Sequence, residues 1–385
     1  MNRTPTVAVV RSKNRRGAVA EALALIADDV RATIRPEVLV KANLVSHVRQ
    51  LPSTHAQTLS ATLDAVFAAG AGRVVVAEGA TNATLGFERF GLRAQAHGLP
   101  VSFFDLNRDE ADWDRVELTA IDGSPLSARI SRTIANAPCR VSLALMKTHV
   151  TSMVTFSLKN MLSSIHPEDR IMMHGHTGGG NGYQGWKRLV IEFLKGDSAL
   201  VNALTRAMGR ARRVASTLQG KTRPEAWMAL TPGELGYLRS VEAMNRNLVA
   251  LARVAKPHLS VVDGFVAMHR EGPRHGTPIR LGTVVAGTDA VAVDAVAAAV
   301  MGFDPLQIGY LRYAHDAGLG VADLDRIAIV GDPIASVARR CVPHSNDIIQ
   351  RHWHRLAEID APARQASAVP APHARTSRTT EAARR

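Results

Sequence analysis

The feature that most constrains the fold is a series of short, uninterrupted apolar runs that alternate with segments of helical periodicity. Such runs are typical of strands in a parallel sheet, because helices cover both faces of that sheet. We predict strands at residues 6–10, 38–40, 74–76, 101–104, 141–145, 259–262, 281–286 and 326–330. Helical patterns lie between them at residues 18–31, 58–67, 87–97 and 290–301. The alternation predicts an α/β protein of the doubly wound, Rossmann-like type with a mainly parallel sheet.

The alternation of strands and helices is interrupted by one insertion and is absent from the C-terminal part of the chain. We predict a single α/β domain over residues 1–342, with a mostly helical insertion at 183–256. Residues 343–385 form a C-terminal extension, which from about residue 361 is rich in Ala, Pro, Arg and Thr. That composition predicts disorder for the tail.

The insertion contains an amphipathic helical pattern. Its arginines Arg206, Arg210 and Arg213 lie opposite an apolar stripe, and we expect the stripe to pack inward against the body of the protein. A basic amphipathic helix can also rest on an anionic membrane or bind a partner, and both alternatives stay open. The stripe consists of Leu200, Leu204, Met208, Ala211, Ala215 and Leu218.

Charge and cysteine content narrow the class of protein. The net charge is +13, but residues 206–223 hold six basic residues and no acidic ones, and 351–385 are also rich in arginine. This concentration in an insertion and a tail disfavours nucleic-acid binding. The two cysteines, Cys139 and Cys341, form no disulfide framework. With no secretory signal and no apolar run long enough to cross a membrane, we expect a cytoplasmic protein without a transmembrane segment.

Polar residues follow five of the predicted strands directly. In an open α/β sheet, ligands bind at the carboxyl ends of the strands. Five such groups in one chain therefore predict an assembled binding site. The groups are Lys41 with Asn43, Glu78, Lys147 with Thr148 and His149, Asp263, and Asp289.

The residue types favour an anionic ligand. Lys41, Lys147 and Lys159 supply three cations, and residues 155–160, including Thr155 and Asn160, have the pattern of a first helical turn. Lysines, hydroxyls and free backbone N–H groups suit a carboxylate or a phosphate. In the alternative interpretation, the lysines are solvated charges at the edge of the sheet and the asparagines close turns.

Three histidines form a second group, His149, His174 and His176, and a glycine-rich stretch that could close as a lid follows them. They could act as acid or base, bind a metal together with Glu78 or Asp263, or serve a structural role. The spacing gives no specific metal motif.

Asp294 is a charged residue inside an otherwise apolar helical segment, and Asp289 precedes that segment as its expected N-cap. If Asp294 is buried, it must be paired or hydrogen-bonded. It could form an ion pair that positions Lys41 or Lys147, or contact the ligand. The chain has no dinucleotide fingerprint, phosphate-binding P-loop or serine nucleophile elbow, so nicotinamide and nucleoside triphosphates are disfavoured.

The ordered set of polar groups resembles the family called domain of unknown function 362, across about residues 38–331. Many members of that family carry a ferredoxin-like cysteine module and are described as iron–sulfur proteins. Two cysteines cannot supply the four thiolates of a cluster, so we expect none held by this chain alone. The resemblance rests on Lys41-Ala-Asn-Leu, Glu78-Gly, Lys147-Thr-His149 with Thr155 and Lys159-Asn160, Asp263-Gly264, Gly272-Pro273 with Gly276, Ala286-Gly-Thr-Asp289 with Asp294, and Met301-Gly-Phe-Asp304-Pro305.

We therefore predict an enzyme that binds a small anionic metabolite, with His149, Lys147 and Asp294 as catalytic candidates. The alternative is a non-catalytic accessory protein that docks an iron–sulfur or other redox partner. The sequence names no cofactor. The candidate binding residues are Lys41, Asn43, Glu78, Thr148, Thr155, Lys159, Asn160, Asp263 and Asp289.

Overall fold

A computed structural model describes residues 4–109, 113–177 and 198–359 of the chain. In these residues a ten-stranded, mostly parallel sheet has helices on both faces, which confirms the predicted α/β class. The sheet strands are β1 Thr6–Arg11, β2 Glu37–Lys41, β3 Arg73–Glu78, β4 Val101–Asp105, β7 Arg140–His149, β8 Met153–Thr155, β9 Leu259–His269, β10 Thr277–Ile279, β11 Thr283–Gly287 and β12 Ala328–Gly331, and a separate hairpin consists of β5 Trp113–Thr119 and β6 Pro125–Ser131. The strand order in the sheet is β12-β1-β11-β9-β7-β2-β3-β4, with β10 beside β9 and β8 beside β7.

Helices fill the two layers beside the sheet. The α-helices are α1 Arg15–Leu25, α2 Ala27–Thr33, α3 Ala56–Ala68, α4 Ala83–Arg89, α5 Arg132–Ala135, α6 Ser157–Asn160, α7 Ala199–Leu218, α8 Pro232–Ala255, α9 Ala290–Val300, α10 Gly309–Asp316, α11 Ile334–Val337 and α12 Asp347–Gln350. One layer packs α1, α3 and α4 against the sheet, and the other packs α8, α9, α10 and the β5–β6 hairpin against its opposite face.

One strand runs against the others, and this moves a predicted site residue. β11 lies between β1 and β9 and is antiparallel to both, so Gly287 at its end pairs with Val7 and Ser260 near the starts of those strands. Asp289 therefore lies at the edge of the sheet opposite the carboxyl ends of β2, β3 and β7. The expectation that Asp289 joins the other polar groups at one edge is wrong, because a run of apolar residues does not encode strand direction.

The predicted insertion at 183–256 contributes to the core. Residues 183–197 lie outside the described residues, and most of 199–255 is helical. Helix α8 buries Met244, Leu248 and Leu251 in the main core. It also lies on the connection from β7 to β9, two adjacent parallel strands, so it acts as their crossover helix rather than as a peripheral addition.

Helix α7 faces the opposite way from the prediction. Leu204, Met208 and Leu218 of the apolar stripe are exposed, whereas Asn202 and Ser216 are buried. Polar partners explain the orientation: Arg213 forms an ion pair with the buried Glu271 carboxylate, and Arg212 binds Asn346. Gly209 lets the helix approach, since a Cβ at this position would overlap Glu271. Pairing a buried acid outweighs burial of the stripe, because an isolated buried charge is very costly.

The first part of the C-terminal extension docks on the body. Ile349 and Trp353 pack with Leu238 and Val241 of α8, and the Trp353 ring makes an edge contact with Tyr313. The tail predicted to be disordered from about residue 361 lies outside the described residues. None of the helices in the described ranges has the length and hydrophobicity that a bilayer-spanning segment requires.

Candidate functional site

A buried ion pair stands at the carboxyl ends of two neighbouring strands. Lys41 ends β2 and Glu78 ends β3, and the Lys41 Nζ lies 2.7 Å from Glu78 Oε1 with both side chains almost fully buried. Burial lowers the pKa of Lys41. Burial raises the pKa of Glu78, but the Lys41 ammonium together with hydrogen bonds from Ser163 and the Ala80 amide holds that pKa below its usual value. The two charges therefore neutralise each other inside the protein.

Glu78 also organises the backbone around this pair. Its Oε2 accepts a hydrogen bond from Leu44 N at 2.6 Å, and its Oε1 accepts one from Gly79 N at 2.6 Å. The Ser163 hydroxyl donates to Oε1 at 2.6 Å. The Glu78 carboxylate thus holds the surrounding backbone in place, and both of its oxygens already accept hydrogen bonds.

A chain of amides links the pair to Lys147 on β7. Asn43 Nδ2 donates to Asn160 Oδ1 at 2.7 Å, and Asn160 Nδ2 donates to Lys41 O at 3.1 Å. The Lys147 Nζ donates to Asn43 Oδ1 and, at 3.0 Å, to Pro52 O. Five predicted residues, from β2, β3, β7 and α6, are therefore brought into one network.

Two lysines of the site lack an acidic partner. Across the described residues, neither Lys147 nor Lys159 has a carboxylate within ion-pair distance, although both are buried. The Lys159 Nζ lies 4.0 Å from Met244 Sδ, a weak acceptor. Burial lowers the pKa of each lysine to about 7. Removal of an ammonium from water without a counter-charge is the physical cause.

His149 is buried beside these lysines and is held in one tautomer. Its Nδ1 accepts hydrogen bonds from Thr151 N at 2.9 Å and Ser152 N at 3.3 Å, so the neutral ring carries its proton on Nε2. Burial, followed by the charge of Lys159, holds the pKa of His149 well below its usual value. The ring is therefore neutral near pH 7 and offers a donor at Nε2.

Thr155 and His174 extend the same polar region. Thr155 is the last residue of β8 and pairs with Lys147 across the strands, rather than opening the helix as predicted, because α6 begins at Ser157. Its hydroxyl is buried and has no hydrogen-bond partner in the described part of the chain. Burial and then the Lys159 charge lower the pKa of His174 to about 3. The region thus combines unpaired cations with a free hydroxyl.

Asp263 lies on the other face of the sheet. Side chains alternate along a strand, and Asp263 on β9 shares the face of Val261, whereas Val262 belongs to the opposite core. Its carboxylate accepts a hydrogen bond from Thr58 Oγ1 at 2.6 Å and lies 3.2 Å from Arg15 Nε. Asp263 is therefore separate from the lysine cluster.

The side chains of Thr148 and Asp289 form hydrogen bonds with the backbone. The Thr148 hydroxyl donates to Arg270 O at 2.8 Å and fixes the loop after β9. Asp289 caps α9, accepting from Val291 N at 2.9 Å and Ala292 N at 3.1 Å, as an N-cap is expected to do. Both side chains support the backbone near their own strands.

Asp294 acts on the backbone of α6. Its Oδ1 accepts from Ser157 N at 2.8 Å and its Oδ2 from Leu158 N at 3.0 Å, with the Tyr310 hydroxyl at 3.4 Å. Burial raises the pKa of its carboxyl to about 8, and the two amides oppose that rise. No lysine in the described ranges is within ion-pair distance of it, so the hypothesis of a lysine counter-charge is wrong. Asp294 instead holds the helix that carries Lys159 and Asn160.

The suggested metal ligands do not converge. His176 is exposed, Glu78 is committed to Lys41, and Asp263 faces the other layer. Throughout the described segments, no three His, Cys, Asp or Glu side chains form a group that could hold a metal ion.

Sequence reasoning missed residues that the C-terminal extension brings to the site. His344 is a buried ring near His149, and burial lowers its own pKa to about 3, so it is neutral near pH 7. Gln350 Nε2 donates to His149 O at 3.0 Å. No local pattern marks either residue, because their role depends on where the extension docks.

Comparison with solved structures finds distant similarities. The lactate racemase apoprotein from Thermoanaerobacterium thermosaccharolyticum matches with a TM-score of 0.40 and 13% identity, over 76% of this chain and 57% of that one. A protein from Thermotoga maritima matches with a TM-score of 0.40 and 9% identity, over 73% of this chain and 58% of that one. Similarities this distant carry over no activity.

Sequence comparison is more informative about family. Thylakoid-associated protein sll1697 from Synechocystis sp. (strain ATCC 27184 / PCC 6803 / Kazusa) is 26% identical over 159 residues, which is 41% of this chain and 43% of that protein. The chain thus matches less than half the length of this curated relative. The model of the family described as domain of unknown function (DUF362) matches residues 38–299, which include the Lys41–Glu78 pair and the Lys147–Lys159 region. The chain belongs to the DUF362 family.

Proposed function

We propose that the protein binds a small anionic metabolite, a carboxylate or a phosphate, between Lys147 and Lys159. The observation that carries the proposal is Lys159, a buried ammonium without an acidic partner among the described residues. A bound anion would supply the missing charge. The unpartnered Thr155 hydroxyl and the Nε2 proton of His149 would add hydrogen bonds to it.

The same groups suggest which residues could take part in chemistry. His149 is poorly suited to accept a proton, because Nδ1 already accepts from two amides and Nε2 already carries the proton. A lysine with a pKa of about 7 exists in both protonation states near neutral pH and can exchange a proton efficiently. We therefore assign proton transfer to Lys147 or Lys159, and to His149 the donation of a hydrogen bond to the anion.

The docking of an iron–sulfur or redox partner has less support. The surface assigned to it includes Arg213, whose guanidinium is engaged by the buried Glu271. The lysine site, by contrast, has an unbalanced charge that a small ligand would neutralise. We place this activity in the cytoplasm, where the two buried free thiols would stay reduced.

The first prediction concerns Lys159. Oxalate and inorganic phosphate should raise the melting temperature of the purified chain. Lys159→Met should lower the affinity for at least one of these anions about tenfold or more, as expected for loss of a charge-assisted hydrogen bond. Without anion, Lys159→Met should be at least as stable as the parent, because it removes an uncompensated buried charge. Titration calorimetry and thermal melts measure both effects.

The matched control is Lys13→Met, which removes an exposed lysine far from the cluster and should leave anion affinity unchanged. Equal affinities in the parent and in Lys159→Met would contradict the proposed site.

The second prediction concerns pH. The folded-state pKa of Lys159 is about 7, below the ordinary 10.5, so the unfolded chain binds more protons between these values. The stability of the anion-free protein should therefore rise with pH from about 7 towards 10.5 through this residue. Oxalate binds the charged lysine, so its stabilisation should be largest at and below about pH 7 and fade at high pH. Urea unfolding of the parent and of Lys159→Met, with and without oxalate, isolates the contribution of Lys159 to the pH dependence of stability. If stability varied with pH in the same way in both proteins, the prediction would be wrong.

A further inference from the structure

Helix α7 presents an apolar face that no described part of the chain covers. Its 20 residues span about 30 Å at the usual rise per residue. Met208, Val214 and Leu218 on this face are 51%, 60% and 83% exposed. Isolated apolar side chains on a surface are ordinary, but a continuous stripe along one helix marks an interaction surface.

The polar surroundings of this face indicate the charge of its partner. At about 100° per residue, Arg210 and Arg212 lie on opposite sides of the stripe centred near Ala211. From residue 198 to 224 the sequence contains no aspartate or glutamate. An apolar stripe flanked by arginines on both sides fits a surface that is apolar inside and anionic at its boundary.

We propose that α7 docks the protein on an anionic lipid bilayer, lying in the interface plane with its apolar face towards the acyl chains. The long stem of Arg210 would allow its guanidinium group to reach the headgroups while the stripe is buried, and Arg212, which is held by Asn346, would add its charge on the other side of the stripe. Buried Asn202 and Ser216, on the opposite side of α7, hold the helix to the body, so the exposed orientation is built into the fold. Arg223, just beyond the helix, adds positive charge at the C-terminal end of α7, whereas the Lys221 charge is paired with Glu234.

A second copy of the chain fits this surface less well. Pairing two α7 helices would bury both stripes, but it would also place arginine rows along the edges of the pair. With no acidic residue in α7, like charges would face each other and oppose association.

The test is sedimentation of the full chain with vesicles. The protein should bind phosphatidylcholine vesicles that contain phosphatidylglycerol, bind pure phosphatidylcholine much less, and be released by salt. Met208→Glu and, separately, Leu218→Glu should each weaken binding about tenfold or more, and Arg210→Gln about fivefold. Met228→Glu, which alters an exposed apolar residue outside α7, is the matched control and should bind normally.

Thermal melts establish that each variant remains folded, and the exposure of Leu218 near the helix end makes its substitution the safest. Absence of binding by the unmodified chain, or unchanged binding by both glutamate variants, overturns the proposal. Concentration-dependent dimerisation in light scattering, abolished by Leu218→Glu and without vesicle binding, would assign the surface to a second copy instead.

Discussion

Replacing Glu78 with glutamine should lower the free energy of unfolding by about 3–5 kcal/mol, the usual cost of leaving one member of a buried ion pair alone. The Lys41 ammonium would remain buried without the carboxylate that lies 2.7 Å from it in the parent. The amide would also have one oxygen where the parent uses two, so either Leu44 N or Gly79 N would lose its acceptor. Urea unfolding at pH 7 measures the loss.

The control for this variant is Glu37→Gln, which breaks an exposed ion pair with Arg73 and should cost less than about 1 kcal/mol. The double variant Lys41→Met/Glu78→Gln should be more stable than Glu78→Gln alone, because it removes the orphaned charge. A Glu78→Gln protein as stable as the Glu37→Gln control would show that Lys41 has another way to be neutralised.

Replacing Asp294 with alanine should destabilise the protein by about 2–5 kcal/mol, because the buried N–H groups of Ser157 and Leu158 would each lose their acceptor. The same change should weaken oxalate binding, since α6 carries Lys159. Asp294→Asn should lower the free energy of unfolding by less than Asp294→Ala. The amide oxygen of the asparagine can still accept one of the two backbone hydrogen bonds, and only the other, which would face the NH2 group, is lost. Urea unfolding and oxalate titration give the two readouts.

Asp304→Ala is the matched control, because Asp304 also accepts a backbone N–H, from Leu306 at 2.9 Å, but is exposed. It should cost about 0.5–2 kcal/mol and leave oxalate affinity unchanged. If oxalate restored the stability of Asp294→Ala beyond its effect on the parent, Asp294 would instead be a counter-charge to the lysines.

The lysine and asparagine network was predictable because its cause is local. Apolar runs identify β2, β3 and β7, and the carboxyl ends of parallel strands meet at one edge of a sheet. Lys41, Asn43, Glu78 and Lys147 follow those runs directly, so their convergence needs no further information.

The prediction that Asp263 and Asp289 join the lysine cluster was wrong for reasons that a local sequence pattern does not contain. Both follow apolar runs, but Asp263 points into the other layer because its strand continues and alternates faces. Asp289 follows a strand that runs antiparallel to both of its neighbours. Direction and facing depend on which strands pair, and pairing involves residues far apart in the chain.

Short-range periodicity in the chain is enough to predict the class of fold, the positions of most strands and the convergence of the lysines. Three features depend on contacts between residues far apart in the chain: which face of α7 turns inward, what Asp294 binds, and the position of residues 343–359 beside the site. For the C-terminal extension the physical reason is apolar packing of Ile349 and Trp353 against α8, and for α7 and Asp294 it is the need of distant buried polar groups for partners. Glu271 requires a cation and the amides of α6 require an acceptor, and satisfying them outweighs the helical pattern of apolar residues.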